Sequence, residues 1–347
     1  MKVTIVNTLI LKNPSQNDIK QAADLLKEGK LVVFPTETVY GLGASALDET
    51  AAARIYAAKG RPSDNPLIIH LAQAEDAEKY AEISPCYEKL ASLFMPGPLT
   101  VVLPKKACIP FSVTGGLDTV AVRVPSHPIA HKLLLAAGIP IAAPSANRSG
   151  RPSCTTVDHV IEDMNGKVDA ILDGGESDLG LESTILLPRG DNEVVLLRPG
   201  AITIEMLTEN GFTVSLDKAV TEKPKDNEKP LAPGMKYRHY APKASLILLD
   251  GTFTAVSDFM KLSPSDPSVA FLCYDEQKND MMQKKAIFLG SYSDSRSQAH
   301  NLFDALRKLD QDDSITTVYA PLPSKEHIGL ALYNRLLKAA GYTVKSL

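Results

Sequence analysis

The run Thr221-Glu222-Lys223-Pro224-Lys225-Asp226-Asn227-Glu228-Lys229-Pro230 is charged, interrupted by proline and offers no apolar residue to bury. Such a stretch gains nothing from joining a core and keeps its conformational entropy, so it divides the chain. Two folded parts are expected, as the length of 347 residues also suggests. The first domain is placed at 1–215, a linker at 216–243 and the second domain at 244–347.

Both parts alternate strand-like and helix-like segments. In the first, Ser15 and Asp18 make a capping-box start. Ile19, Ala22, Ala23 and Leu26 then recur at helical spacing until Gly29 ends the helix. Strands are expected at 31–34, 67–71, 99–103, 120–124, 170–172, 184–187 and 194–197, with helices at 50–58, 87–94 and 128–137. That pattern predicts an α/β fold with a sheet of mixed direction. Beyond the linker, strands at 245–249, 269–274, 286–289 and 315–320 alternate with helices at 253–262, 297–309 and 325–340. A smaller three-layer α/β domain is expected there.

A hydrophobic content of 44%, a charged content of 22% and a net charge of −4 belong to an ordinary globular protein. They argue against a generally basic nucleic-acid binder. No apolar run approaches transmembrane length, and Met1-Lys2-Val3-Thr4-Ile5-Val6-Asn7 is too short and polar for a signal sequence. A cytoplasmic location without membrane association is expected. Cys86, Cys108, Cys154 and Cys273 are scattered without paired spacing, which predicts buried thiols rather than a disulfide framework or a metal site.

Polar residues gather where the apolar strands stop. Phe34-Pro35-Thr36-Glu37-Thr38-Val39-Tyr40-Gly41-Leu42-Gly43 carries a strand into a Thr, Glu, Tyr and Gly loop. The helix at 50–58 ends at Lys59-Gly60-Arg61-Pro62-Ser63-Asp64-Asn65-Pro66, leaving two cations beside an extended turn. Both offer the charge-assisted hydrogen bonds that a phosphate needs, although such residues often end as solvated charges. Gly41-Leu42-Gly43-Ala44-Ser45-Ala46 matches a dinucleotide fingerprint in letters only, because the polar loop before it spoils the strand–turn–helix geometry. His70 closes an apolar run, either as a satisfied core residue or as a site residue. Arg123 lies inside an apolar strand and needs an anionic partner, from the protein or from a ligand. Ser145 and Asn147 follow a strand that breaks at Pro144, where a ligand site and a plain turn are both natural. Glu182-Ser183-Thr184 and Arg198-Pro199-Gly200 repeat the pattern, and the several loops together describe a polar pocket for a polyanion. In Lys236-Tyr237-Arg238-His239-Tyr240 basic and aromatic side chains mix, which suits interdomain packing, a nucleic-acid contact or a nucleotide lid.

As a set, these motifs resemble the threonylcarbamoyl-adenylate synthase family in its longer, two-domain form. The resemblance covers nearly the whole chain. It rests on Pro35-Thr36-Glu37-Thr38-Val39-Tyr40-Gly41-Leu42-Gly43, Lys59-Gly60-Arg61-Pro62, Asn65-Pro66-Leu67, Pro96-Gly97-Pro98-Leu99-Thr100, Ala143-Pro144-Ser145-Ala146-Asn147 and Pro233-Gly234-Met235-Lys236-Tyr237-Arg238-His239-Tyr240-Ala241-Pro242. It implies a YrdC-like mixed-sheet α/β catalytic domain followed by a smaller, Rossmann-like Sua-type α/β domain. It also implies condensation of L-threonine with bicarbonate or CO2 and ATP, with Mg2+ accompanying the ATP. The products would be pyrophosphate and threonylcarbamoyl-AMP, the latter for the threonylcarbamoyl modification of adenosine 37 in tRNA.

By the same resemblance, Lys59, Arg61, Ser145 and Asn147 would form a polar tetrad around the phosphates and reacting groups. Thr36, His70, Arg123, Ala143 and Thr184 would line the threonine end. Asn65, Thr119, Ser153 and Arg198 would help hold the ATP, and Tyr237, Arg238 and His239 would close over it as a lid. The product would pass to the tRNA threonylcarbamoyltransferase machinery, with no stable nucleic-acid binding required. Two other readings stand beside this one. A non-catalytic double-stranded RNA-binding module needs no compact hydroxyl pocket, and a related carbamoyl-transfer maturation enzyme needs zinc fingers that these cysteines do not supply.

Overall fold

The computed structural model describes residues 6–223, 230–233 and 240–347. They form two compact units. The first comprises the described residues up to Ser149, Ser153–Asp178, and Glu182 to Pro233. The second comprises Gly150–Pro152, Leu179–Leu181, and Tyr240 to Leu347.

In chain order the strands of the first unit are β1 (Leu9–Lys12), β2 (Val32–Phe34), β3 (Gly41–Ser45), β4 (Ile68–His70), β5 (Leu99–Pro104), β6 (Thr119–Arg123), β7 (Ile141–Ala143), β8 (Ala170–Asp173), β9 (Thr184–Pro188), β10 (Glu193–Arg198) and β11 (Thr213–Leu216). They join in one sheet in the order β1-β8-β2-β3-β7-β4-β6-β5-β9-β10-β11. Direction is mixed, as expected: β4 runs parallel to β6 and antiparallel to β7, while β3 opposes both β2 and β7.

Period-two alternation and the strand registers place Phe34, Ile141, Ile68, His70, Ala121, Arg123 and Thr100 on one face. Helix α1 (Gln16–Lys27) covers part of that face. The Ser15 hydroxyl accepts from Asp18 N, and the Asp18 carboxylate accepts from Ser15 N at 2.8 Å, which is the capping box legible in the sequence. Ile19, Ala22, Ala23 and Leu26 then pack with Val32, Phe34, Ile141 and Leu172. Elsewhere the face is covered from the expected linker. Ala219 and Ala232 are buried there with Ile68, Val102, Ala121 and Ile185. The described linker residues up to Pro233 therefore belong to the first unit, while Tyr240–Lys243 belong to the second.

In this unit β1, β3 and β11 are absent from the strands expected above, and β3 has a clear physical reason. The polar loop is expected to run through Gly43, whereas Gly41–Ser45 is β3, well inside the sheet. A Cβ on Gly43 would lie 2.8 Å from Ile141 Cγ2 and 2.9 Å from Phe34 Cε1. Glycine here makes room for the Phe34 ring, so β3 lacks the β-branched residues that announce a strand. Gly43→Ala is expected to destabilise the first unit by about 1–3 kcal/mol through overpacking. A urea midpoint equal to that of the parent chain would contradict this.

The second unit contains β12 (Ser245–Asp250), β13 (Val269–Cys273), β14 (Lys285–Phe288), β15 (Thr317–Pro321) and β16 (Val344–Ser346). Their order is β14-β13-β15-β12-β16, and every neighbouring pair is parallel. Helices Phe253–Leu262, Ser295–Leu309 and Gly329–Ala339 make the crossovers, and Leu302, Phe303 and Leu306 are fully buried. This is the expected smaller α/β domain. The cysteine reading needs one correction: Cys86, Cys154 and Cys273 are buried, but Cys108 is exposed. It sits in a turn between β5 and β6, where no apolar layer covers it. Among the described residues no helix is long and apolar enough to cross a membrane.

Candidate active site

Helix α2 (Glu49–Lys59) begins on the Asp48 side chain and stops at Gly60, whose φ of 62° is the left-handed conformation that favours glycine. Lys59, its last residue, is thereby turned inward and buried. Its Nζ donates to the carbonyls of Ser145 and Asn147, and its own carbonyl accepts from Ser149 N at 2.9 Å. Ser145 Oγ donates to Asn147 Oδ1 at 2.5 Å. Three of the four tetrad residues therefore meet at one loop.

Arg61, the fourth, folds over its own turn and donates from Nη2 to Pro66 O at 3.2 Å. The Tyr56 hydroxyl donates to Asn65 O at 3.1 Å and Ser112 O at 3.0 Å. Burial pushes the Tyr56 pKa up to about 12, which keeps it a donor. Asn65 is thus held by its backbone, while its buried Oδ1 accepts no hydrogen bond.

The loop after β2 is shaped by Thr36. Its hydroxyl donates to Val39 O at 2.6 Å and accepts from the N–H groups of Thr38 and Val39. The turn aims Glu37 at Arg123, whose Nη2 donates to Glu37 Oε1 at 2.7 Å, and Glu37 Oε2 accepts from Ser126 N. Both side chains of this pair are only 5–6% exposed. The sequence demanded an anion for Arg123, and the protein supplies one. Glu37 was missed as a site residue, although its place between two threonines in the same loop was the available signal. Arg123 Nε remains buried without a hydrogen-bond partner.

His70 stands beside Arg123 in the β4/β6 register, with the Phe34 ring edge-on at 5.8 Å. Its Nδ1 lies 3.1 Å from Ile68 O. Burial, reinforced by the Arg123 charge, holds its pKa down to about 3. His70 is therefore held neutral. Between its unfolded value of 6.5 and about 3, the unfolded chain binds a proton that the native chain refuses. Stability should therefore fall as pH drops through that window, and His70→Gln should flatten the slope. An imidazole resonance that titrates between pH 5 and 8 would contradict the assignment.

Ala143 pairs with Ile68, two residues from His70 on the same face, and Thr119 begins the strand that Arg123 ends. Arg198 donates from Nε to Ser183 O at 3.0 Å and from Nη2 to Ser183 Oγ at 3.1 Å. Ser183 Oγ also lies 2.7 Å from the hydroxyl of Thr100, the register partner of Arg123. Thr184 turns its hydroxyl to the Ile202 peptide, donating to O at 2.7 Å and accepting from N at 3.0 Å, so that hydroxyl fastens a turn. Ser153 donates to Glu182 Oε1 at 2.6 Å. Ser183 and Glu182 join the network unannounced, though both lie in the Glu182-Ser183-Thr184 motif. Tyr237, Arg238 and His239, expected as a lid, lie outside the described residues.

Asn65 Oδ1 and Arg123 Nε are buried without a hydrogen-bond partner and Lys59 and Arg61 flank Gly60, a chemistry that suits an anionic, hydrogen-bonding ligand. Asn65 lies in the bend that leads into β4, and Arg123 ends the adjacent β6.

The family model described as "Telomere recombination", which covers Sua5, YciO and YrdC proteins, matches residues 24–200. The model described as "Threonylcarbamoyl-AMP synthase, C-terminal domain" matches residues 202–341. The threonylcarbamoyl-AMP synthase of Pyrococcus abyssi is 46% identical over 94% of this chain and 95% of its own length. That of Bacillus subtilis is 42% identical over 94% of each. The crystal structure of P. abyssi Sua5 complexed with L-threonine shares 44% identity, covers 98% of this chain and 100% of that one, and superposes with a TM-score of 0.87. E. coli YciO, 24% identical, shares the fold over 58% of this chain. With both of its units matched, the chain belongs to the threonylcarbamoyl-AMP synthase family, in its two-domain form.

Proposed function

We propose that this chain condenses L-threonine, bicarbonate or CO2, and ATP into threonylcarbamoyl-AMP and pyrophosphate. The observation that carries the reading is the pair of buried, unpartnered atoms at the two ends of the β4/β6 pair. A buried polar group without a hydrogen bond costs about 1–3 kcal/mol, so each is a place where a ligand atom docks. Arg123 Nε donates to the threonine carboxylate, and Asn65 Oδ1 accepts from the nucleotide.

The neutral threonine amine attacks the carbon of CO2, or of bicarbonate with loss of water, and a carbamate forms. One carbamate oxygen then attacks the α-phosphorus, the bond to the β-phosphate bridging oxygen breaks, and pyrophosphate leaves. Lys59 and Arg61 neutralise charge on the phosphates, while the Ser145–Asn147 loop, fixed by Lys59, positions them. His70 stays neutral throughout, so the amine loses its proton to solvent or to a phosphate. Mg2+ suits this site as a companion of the triphosphate. Such an ion keeps its waters and leans on substrate phosphates, and the nearby carboxylates are already engaged, Glu37 by Arg123 and Glu182 by Ser153. When bound it neutralises phosphate charge.

L-threonine as a substrate agrees with the threonine-bound relative. The relatives are named synthases along 94% of this chain, so the RNA-binding reading is set aside. Passage of the product to a tRNA-modifying transferase completes the proposal. The test is pyrophosphate release from ATP and Mg2+ with threonine and bicarbonate omitted in turn. Release that requires both is expected, and release indifferent to threonine would overturn the reading.

A further inference from the structure

We propose that the second unit carries a ligand site of its own, at the carboxyl ends of its parallel strands, shaped for a nucleoside phosphate. The proposal does not rest on the reaction above.

The position comes from topology. From β13 the chain moves outward to β14, and from β15 it moves the other way to β16. The adjacent ends of β13 and β15 therefore form a switch point, where open parallel sheets leave a crevice for ligands. Small-molecule and cofactor pockets run from about 300 to 1,000 Å³, and a cavity of ≈ 620 Å³ lies there. Its lining comes from the segments following β12, β13, β14 and β15, all within this unit.

The lining has three chemically distinct parts. Phe253, Tyr274 and Tyr292 form an aromatic wall, with Tyr292 at 4.6 Å from Phe253 and 5.2 Å from Tyr274 between ring centroids. Tyr274 is buried, but Tyr292 is 52% exposed, so it presents a ring rather than filling the core. Yet it is firmly held. The Glu276 carboxylate accepts from Tyr292 N at 2.9 Å and from Ser291 Oγ at 2.6 Å, and Gln298 Nε2 donates to Ser291 O and Tyr292 O. A half-exposed ring on a pinned loop is a stacking platform for a planar base. Lys325 supplies a cation beside the Tyr333 ring, 4.8 Å from its centroid, for a phosphate. Asp250, at the end of β12, supplies a carboxylate to accept from sugar hydroxyls.

The test is hydrogen exchange of the full chain against increasing AMP, read peptide by peptide. Protection is expected over residues 290–298 and 321–326 as well as in the first unit. Tyr292→Ala and Lys325→Ala should each raise the AMP concentration needed for second-unit protection by about tenfold or more, the scale of losing one stacked base or one charge contact. Protection confined to the first unit at millimolar AMP would overturn the proposal. So would second-unit protection that survives both substitutions unchanged. Loss of protection in the first unit alone would count against the adenylate chemistry and leave this site standing.

Discussion

Lys59→Ala is expected to lower kcat/KM for pyrophosphate release by about 2–4 kcal/mol, the scale of losing a preorganised charge donor. The side chain does two things at once. It fixes the loop bearing Ser145 and Asn147 through two carbonyls, and it keeps a positive charge in a place where water is largely excluded. Lys59→Gln separates the two, because the amide can bond a carbonyl but brings no charge. A loss as large in Lys59→Gln as in Lys59→Ala would assign the effect to charge, whereas recovery would assign it to loop position. Near-parent rates in both variants would remove Lys59 from the site. Arg61→Ala should lose a similar amount, with the first unit's unfolding midpoint close to that of the parent.

Glu37→Gln carries the second large effect, and it acts on stability as well as on turnover. The Glu37–Arg123 pair is buried, so removing one charge strands the other in a low-dielectric setting at a cost of about 3–5 kcal/mol. Removing both should do less harm, since a buried pair is worth little against a well-packed apolar replacement. Urea unfolding of Glu37→Gln, Arg123→Met and the double variant tests this. The double variant should be more stable than Glu37→Gln alone. A single-variant loss under about 1 kcal/mol would mean that Arg123 is not held by Glu37. The double variant should still turn over poorly, because Arg123 Nε would no longer meet the threonine carboxylate.

Much of this was written in the chain, for identifiable reasons. The capping box at Ser15 and Asp18, the helical stripe of α1 and the glycine stop after Lys59 obey local rules, and each appears where the sequence placed it. The expected linker at 216–243 rested on a charged, proline-broken run with nothing to bury, yet Ala219 and Ala232 within it pack on the sheet. β3 was illegible because its glycines answer to Phe34 and Ile141, contacts that exist only in the folded sheet. The site divides along the same line. Residues at element ends and in loops, such as Lys59 and Ser145, stood out by type and spacing. The pairing of Glu37 with Arg123 across 86 positions did not, since it depends on how the β2–β3 loop crosses the sheet. Thr184 shows the converse: its motif pointed to a ligand, and its hydroxyl holds the Ile202 turn.

The central claim is that a carbamate oxygen of threonine reaches the α-phosphorus within the first unit. Incubation with ATP, L-threonine and 13C-bicarbonate, followed at once by 13C and 31P spectra of the adenylate, tests it directly. The expected result is a 13C carbonyl coupled through oxygen to one phosphorus, present with the parent chain and lost in Lys59→Ala. Pyrophosphate formed alongside an adenylate without 13C would contradict the account.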